Sequence, residues 1–300
     1  MALANRQRLA LVTGGASGLG REFCQQLAAI GWHVIVADVD LTGAEETLSM
    51  LEQAGGRGKI ERLDVRDSLA WQELTAKLRD KWPRLDLLVN NAGICAAGRI
   101  GEAALEDFQR VIDVNLSGVV NGCHAMVPWM RETAPGGAIV NIASVAALLS
   151  APAMAAYSVS KAGVVAFSET LYNELRQSGI GVTVVLPGFF RSRLLERGMF
   201  DDELFRRVAQ DYTASSVISA ADVVRETLRA VEKKKLYVAL GRRVRLAWWA
   251  KRLVPTWFLR FVARRCAHNE ARHAEPKLCQ LELHLPTGIP DQSVGSAKLK

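Results

Sequence analysis

Tyr157 and Lys161 stand four residues apart in an alanine-containing stretch, with Ser144 thirteen residues before the tyrosine. Side chains at that spacing share one helix face, so a helix here points a phenol and an ammonium the same way. A free tyrosine titrates near ~10 and moves protons poorly at neutral pH, whereas a neighbouring ammonium favours the phenolate. Such a pair suits general acid and base work. Taken alone, Tyr-x-x-x-Lys is also ordinary helix surface, and its meaning depends on what the rest of the chain builds around it.

A second chemical signal is Thr13-Gly14-Gly15-Ala16-Ser17-Gly18-Leu19-Gly20. It follows the apolar run Leu9–Thr13 and opens an amphipathic segment at Arg21–Ile30. Glycines let backbone approach a pyrophosphate, and a helix N-terminus offers free N–H groups and a positive dipole. Asp38 closes the next apolar run, eighteen residues after Gly20. A carboxylate there accepts hydrogen bonds from an adenosine ribose and repels a 2′-phosphate, although a turn or cap aspartate looks the same in sequence. No Lys or Arg stands at position 16 or 39, which favours NAD over NADP.

Placing those groups requires a regular scaffold, and the hydrophobic pattern supplies one. Apolar runs at Leu9–Thr13, His33–Ala37, Lys59–Leu63, Leu85–Asn90, Ala138–Ala143 and Gly181–Leu186 alternate with helical segments at Arg21–Ile30, Gly43–Ala54, Leu69–Lys81, Leu105–Met130 and Tyr157–Gln177. Near-continuous Val/Ile/Leu strands separated by helices describe a parallel sheet covered on both faces, a doubly wound α/β (Rossmann) fold. A seventh strand is expected at Lys235–Leu240. No internal repeat or linker divides residues 1–240, which read as one domain. A basic amphipathic helical extension follows at 241–275, then a poorly ordered tail at 276–300.

With these motifs in order, the chain resembles the short-chain dehydrogenase/reductase family from about residue 5 to 240. The resemblance rests on the glycine-rich turn, Asp64-Val65, Asn90-Asn91-Ala92-Gly93, Asn115, Ser144, Tyr157-x-x-x-Lys161 and Pro187-Gly188. It implies NAD(P)-dependent chemistry on a CH–OH group. Tyr157 would be the acid/base on the substrate oxygen and Ser144 would hold that oxygen. Lys161 would bind the nicotinamide ribose and depress the tyrosine pKa. Asn115 would anchor a water linked to Lys161. For the cofactor it implies contacts from Gly14, Ser17, Gly18, Leu19, Gly20 and Asp38, from Asp64 and Val65 at the adenine, and from Asn91, Ala92 and Gly93 at the ribose. Pro187, Gly188, Phe190 and Ser192 would meet the nicotinamide end, Ser192 standing where a threonine is usual. The same resemblance implies a homodimer or homotetramer. An intact catalytic set argues for an enzyme over a cofactor-binding scaffold with vestigial residues.

Composition excludes several other classes. Five scattered cysteines without a Cys-x-x-Cys pair argue for reduced thiols and no metal site. No N-terminal signal pattern is visible, which predicts a cytoplasmic protein. The net charge of +7 is local: eight basic and no acidic residues lie between Gly241 and Arg265, leaving the catalytic body near neutrality. No nucleic-acid motif accompanies them. Two short helices meeting at Pro255 would put Leu246, Trp249 and Leu253, then Trp257, Phe258, Phe261 and Val262, on apolar faces flanked by cations. Such faces suit either peripheral attachment to an anionic inner membrane surface or docking on the body or a second subunit. Leu148, Leu149, Met154, Leu194 and Met199, with a lid expected over Phe189–Tyr212, suggest an apolar pocket for a hydrophobic alcohol or ketone; packing of that loop onto the body explains them equally well.

Overall fold

A computed structural model describes residues 7–188, 190, 198–200, 207 and 218–274. The chain runs β1 (Leu9–Thr13), α1 (Gly18–Ala29), β2 (His33–Asp38), α2 (Leu41–Gln53), β3 (Arg57–Arg62), α3 (Ser68–Arg79), β4 (Leu87–Asn90) and β5 (Ala96–Ala97). It continues through α4 (Leu105–Ile112), a π-turn (Asp113–Ser117), α5 (Gly118–Thr133), β6 (Ala138–Ile142), α6 (Ala146–Leu149), α7 (Ala155–Leu175) and β7 (Gly181–Leu186). The last elements are β8 (Met199–Phe200), α8 (Ala220–Glu232), β9 (Tyr237–Ala239), α9 (Arg242–Leu253) and α10 (Pro255–Ala274).

Among the described residues seven strands form one parallel sheet in the order β3-β2-β1-β4-β6-β7-β9. Every residue of β1 is buried, and its side chains divide by parity. Leu9 and Leu11 enter the core beneath α3, α5 and α7, while Ala10 and Val12 enter the opposite core beneath α1, α2 and α8. This two-sided burial is why the strands read as unbroken apolar runs rather than alternating ones. The fold is the doubly wound α/β architecture that the periodicity predicts. Order reverses at β1/β4, and the C-terminal strand ends there form the crevice where ligands bind in sheets of this kind.

Two features depart from the sequence reading. The helical segment expected over Leu105–Met130 is continuous but carries an unforeseen π-turn at Asp113–Ser117, which holds Asn115. The chain after β7 also returns to pair β8 with β5, with Met199 N–H donating to Cys95 O at 2.9 Å. Most of the expected lid at Phe189–Tyr212, including Ser192 and Leu194, lies outside the described residues, as does the tail beyond 274.

Both helices of the extension form, and they meet at Pro255 as the sequence predicts. One side of α9 docks on the body: Val244 is buried, Ala247 and Trp248 pack on the core, and Trp248 meets Tyr237 edge-on at 4.7 Å. The face assignment is corrected for α10, where Phe258 and Val262 are buried while Trp257 and Phe261 are exposed. No helix among the described residues is long and apolar enough to cross a membrane.

Candidate active site

The glycine-rich turn links β1 to α1, and sterics explain its composition. Gly14 sits at φ +66, and a Cβ there would lie 2.9 Å from Ala92 Cα. A Cβ on Gly20 would lie 2.0 Å from Gly14 O, so only glycine lets the first turn of α1 close onto the loop. Gly18, at φ +53, faces open space. Ser17 is the N-cap of α1 yet makes no side-chain cap bond, which leaves its hydroxyl and the helix N-terminus available to an anion.

Asp38 at the end of β2 is held against this turn. Its carboxylate accepts the N–H of Ala16 and the N–H of Asp40, each at 3.0 Å. Arg21 is the nearest cation in sequence, but its guanidinium is committed. It donates to Ala16 O at 2.6 Å, Gly43 O at 3.1 Å and Thr47 Oγ1 at 2.9 Å, and it pairs with Glu46 at 2.8 Å. Val39, beside Asp38, is exposed and uncharged.

Two further walls come from the ends of β3 and β4. Asp64 is gripped by Arg66, whose Nη2 lies 2.6 Å from Oδ2, and that hydrogen bond holds the carboxyl below its usual range. Val65 is buried against Gly118, where a Cβ would come within 2.7 Å of Val65 Cγ2. Asn91 ties β4 to the glycine turn, donating from Nδ2 to Thr13 O at 2.9 Å, and the N–H groups of Asn91 and Ala92 converge on Thr13 Oγ1 at 3.0 and 3.1 Å. Gly93 continues this path beside the lysine: a Cβ there would be 3.1 Å from Asn115 Oδ1 and 3.5 Å from Lys161 Nζ.

Ser144, Tyr157, Lys161 and Asn115, from three separate segments, meet at the ends of β4 and β6. Tyr157 and Lys161 occupy the sheet-facing side of α7 with Val164, Ser168, Leu171 and Leu175, a 3.6-residue repeat. Ser144 lies close enough to Tyr157 to act on its protonation, and its oxygen accepts the N–H of Ala146 at 3.1 Å, which fixes its rotamer. Lys161 Nζ donates to Ile142 O at 2.9 Å and lies 5.8 Å from the centre of the Tyr157 ring. Asn115 Oδ1 accepts the N–H of Ile94 at 2.8 Å, and its Nδ2 donates to Ile94 O at 2.9 Å and Ser160 Oγ at 3.2 Å.

Burial governs the protonation of this cluster. It raises the tyrosine pKa, the nearby Cys95 adds to the rise, and Ser144 opposes it. It lowers Lys161 to about 8, with Cys95 opposing, and it pushes the Cys95 thiol up to about 12. The lowering of the Tyr157 pKa expected from Lys161 is therefore corrected: in the chain alone the tyrosine is raised, because burial disfavours the charged form of both groups.

The cluster includes residues that sequence reasoning missed. Ser160 is fully buried, takes the Asn115 amide and donates to Tyr157 O at 2.8 Å, linking the π-turn to the catalytic turn of α7. Asn90 Nδ2 donates to Asn141 Oδ1 at 2.9 Å, and Asn141 Nδ2 to Ser168 Oγ at 3.0 Å, a buried ladder that seats α7 on the sheet. Its signal was available: an asparagine inside the apolar run Ala138–Ile142 needs a buried partner. Near Ser144, Leu148 is buried and Leu149 and Met154 are partly so. Pro187 O accepts the N–H of Val145 at 2.9 Å, which brings Pro187, Gly188 and Phe190 to the same end of the sheet.

Known proteins resemble this chain in sequence and fold. The probable oxidoreductase EphD of Mycobacterium tuberculosis is 37% identical over 187 residues, 62% of this chain and 32% of that one. The matched stretch thus spans about a third of that relative. A 3-oxoacyl-(acyl-carrier-protein) reductase of Synechocystis sp. is 36% identical over 190 residues, 63% of this chain and 76% of that one. A crystal structure of a short chain dehydrogenase/reductase from Burkholderia phymatum in complex with NAD superposes with a TM-score of 0.75 at 31% identity, covering 82% of this chain and 95% of that chain. The short chain dehydrogenase family model matches residues 8–200, a stretch that carries the glycine-rich turn, Asn115, Ser144, Tyr157 and Lys161. By that match, on this sheet, the chain belongs to the short chain dehydrogenase family.

Proposed function

We propose that this protein is an oxidoreductase that transfers a hydride between NAD(H) and a hydrophobic secondary alcohol or ketone, with Tyr157 as general acid and base. The observation that carries the reading is the convergence of Ser144, Tyr157 and Lys161 beside Gly93, within the crevice headed by the glycine turn. A dinucleotide fits the residues present. The cradle at Gly14, Gly18 and Gly20, with Ser17 and Leu19 opening α1, takes the pyrophosphate. Asp38 takes the adenosine ribose hydroxyls, Asp64 and Val65 border the adenine, and Asn91, Ala92 and Gly93 line the path between. Lys161 holds the nicotinamide ribose, with Pro187, Gly188 and Phe190 at the carboxamide end; Ser192 belongs to the same reading. The carboxylate of Asp38 and the committed guanidinium of Arg21 disfavour a 2′-phosphate, and the similarity to an NAD complex agrees with that preference.

A nicotinamide held by Lys161 and the Pro187-Gly188 turn would supply the two-electron hydride chemistry. The chain supplies position and the proton. Ser144, its oxygen oriented by Ala146 N–H, directs its hydroxyl to the substrate oxygen beside Tyr157. Tyr157 removes the hydroxyl proton in oxidation and returns it in reduction. Lys161, with its pKa lowered to about 8, can take part in that transfer as well as hold a ribose. The Asn115 side chain, engaged with Ile94 and Ser160, holds the π-turn beside Gly93 and Lys161. Leu148, Leu149, Met154 and Met199 support an apolar substrate. Val120 and Val159, exposed on α5 and α7, support a homodimer or homotetramer through those helices.

The test is an assay of an alcohol and ketone panel with NAD and NADP separately, on the parent and Tyr157→Phe. The variant loses turnover at least a hundredfold while its NAD affinity, read by fluorescence titration, stays within a few-fold. Retention of more than a tenth of the parent rate on the best substrate refutes the acid/base assignment.

A further inference from the structure

The docked side of the extension leaves a second side bare, and its chemistry is distinctive. Leu246, Trp249 and Leu253 on α9, and Trp257 and Phe261 on α10, are exposed, with Trp249 at 60% and Trp257 at 63%. Trp257 and Phe261 stack at 5.8 Å with an 11° interplanar angle, forming one flat aromatic plate. Around them Arg242, Arg243, Arg245, Arg260, Arg264 and Arg265 are exposed. No acidic residue occurs between Gly241 and Asn269.

We propose that α9 and α10 seat the protein on an anionic lipid bilayer, with the aromatic and leucine side chains in the interfacial layer and the arginines on lipid headgroups. The charge pattern selects this occupant. A second copy docked through the same face would bring two sets of arginines together with no carboxylate from either segment, an unpaired burial of charge. Nucleic acid would satisfy the arginines but leave Leu246, Leu253 and the Trp257–Phe261 plate without an apolar environment. A bilayer surface satisfies both at once.

The surface is also preorganised. Lys251 Nζ donates to Ala147 O at 3.1 Å and Ser150 Oγ at 3.3 Å, and Arg252 lies 3.8 Å over the Trp248 ring. Val244 Cγ2 is 3.2 Å from where a Cβ on Gly188 would stand. The lipid-facing helix is thereby bolted to α6, which follows Ser144, and to the Pro187-Gly188 turn. Membrane seating and the mouth of the proposed site share one rigid element, so little ordering cost attends binding.

The experiment is co-sedimentation of the full chain with phosphatidylserine-containing vesicles, phosphatidylcholine vesicles and duplex DNA, at low and high salt. It is paired with sedimentation velocity of the lipid-free protein. The parent pellets with the anionic vesicles at low salt, its tryptophan emission shifts to the blue, and both effects fade at high salt. Each basic residue near such a surface multiplies partitioning about fivefold, so Arg243→Glu with Arg260→Glu lowers it by at least twenty-five-fold. Trp249→Ser with Trp257→Ser removes the blue shift while circular dichroism stays that of the parent, since both side chains are exposed. None of these readouts needs turnover, so they stand whether or not the dehydrogenase reading holds. Failure of the parent to pellet with anionic vesicles at low salt overturns the proposal. So does pelleting unaffected by either double variant, binding to DNA but not vesicles, or an oligomer that the tryptophan variants dissociate.

Discussion

Replacing Asp38 tests the cofactor assignment and the architecture of the glycine turn together. Its carboxylate accepts two backbone N–H groups, from Ala16 and Asp40, each at 3.0 Å. Hydrogen bonds to a charged acceptor contribute about 1.5–3 kcal/mol each, and partial exposure puts these at the lower end. Asp38→Ala should then destabilise by about 3 kcal/mol, and Asp38→Asn, which keeps one acceptor oxygen, by about half that. At about 2–4 °C per kcal/mol for a domain of this size, the alanine variant melts about 6–12 °C below the parent. Cofactor use changes separately. Losing the acceptor for the ribose hydroxyls raises KM for NAD by roughly ten- to a hundredfold. Loss of the repelling charge leaves KM for NADP unchanged or lowers it, and Asp38→Ser with Val39→Arg reverses the preference. Differential scanning fluorimetry and kcat/KM with both cofactors read the two effects. A parent equally efficient with NAD and NADP refutes the selectivity argument. An Asp38→Ala variant melting with the parent refutes the structural one.

The remaining predictions concern other parts of the site. Gly20→Ala places a Cβ 2.0 Å from Gly14 O, so NAD affinity and thermal stability both collapse, whereas Gly18→Ala meets no atom and costs only the positive-φ penalty of about 1–2 kcal/mol. Similar melting temperatures for the two variants would sink the steric reading. Lys161 titrates at about 8 in the fold against 10.5 unfolded, so the unfolded chain binds more protons above pH 8 and stability gains from this group as pH rises, by under about 1.4 kcal/mol per unit. From pH 9 the buried thiols Cys24, Cys95 and Cys123 act oppositely, because their folded pKa values are raised. Urea midpoints between pH 8 and 9 for the parent and Lys161→Met isolate the lysine, and identical slopes in the two proteins contradict its burial.

Much of this was legible without coordinates, because parallel strands buried on both faces leave continuous apolar runs and a phosphate-binding turn leaves glycines. The order of β1, the glycine turn and α1, the acid closing β2, and the four-residue interval from Tyr157 to Lys161 are local patterns set by backbone geometry. Both helices of the extension were legible for the same reason, from their period and from Pro255. What stayed hidden depends on contacts between distant segments. The π-turn forms because Asn115 answers the backbone of Ile94 and Gly118 packs on Val65, and neither demand shows in the helical period of Leu105–Met130. Ser160 looks like helix filler in the sequence, and only the fold brings its hydroxyl between Asn115 and Tyr157. The protonation of Tyr157 and Lys161 follows burial, which spacing along a chain does not report. Which side of each C-terminal helix docks, and which is left to face outward, was settled by the shape of the body against which Val244, Trp248 and Lys251 close. An amphipathic helix carries the same apolar stripe whatever surface finally covers it.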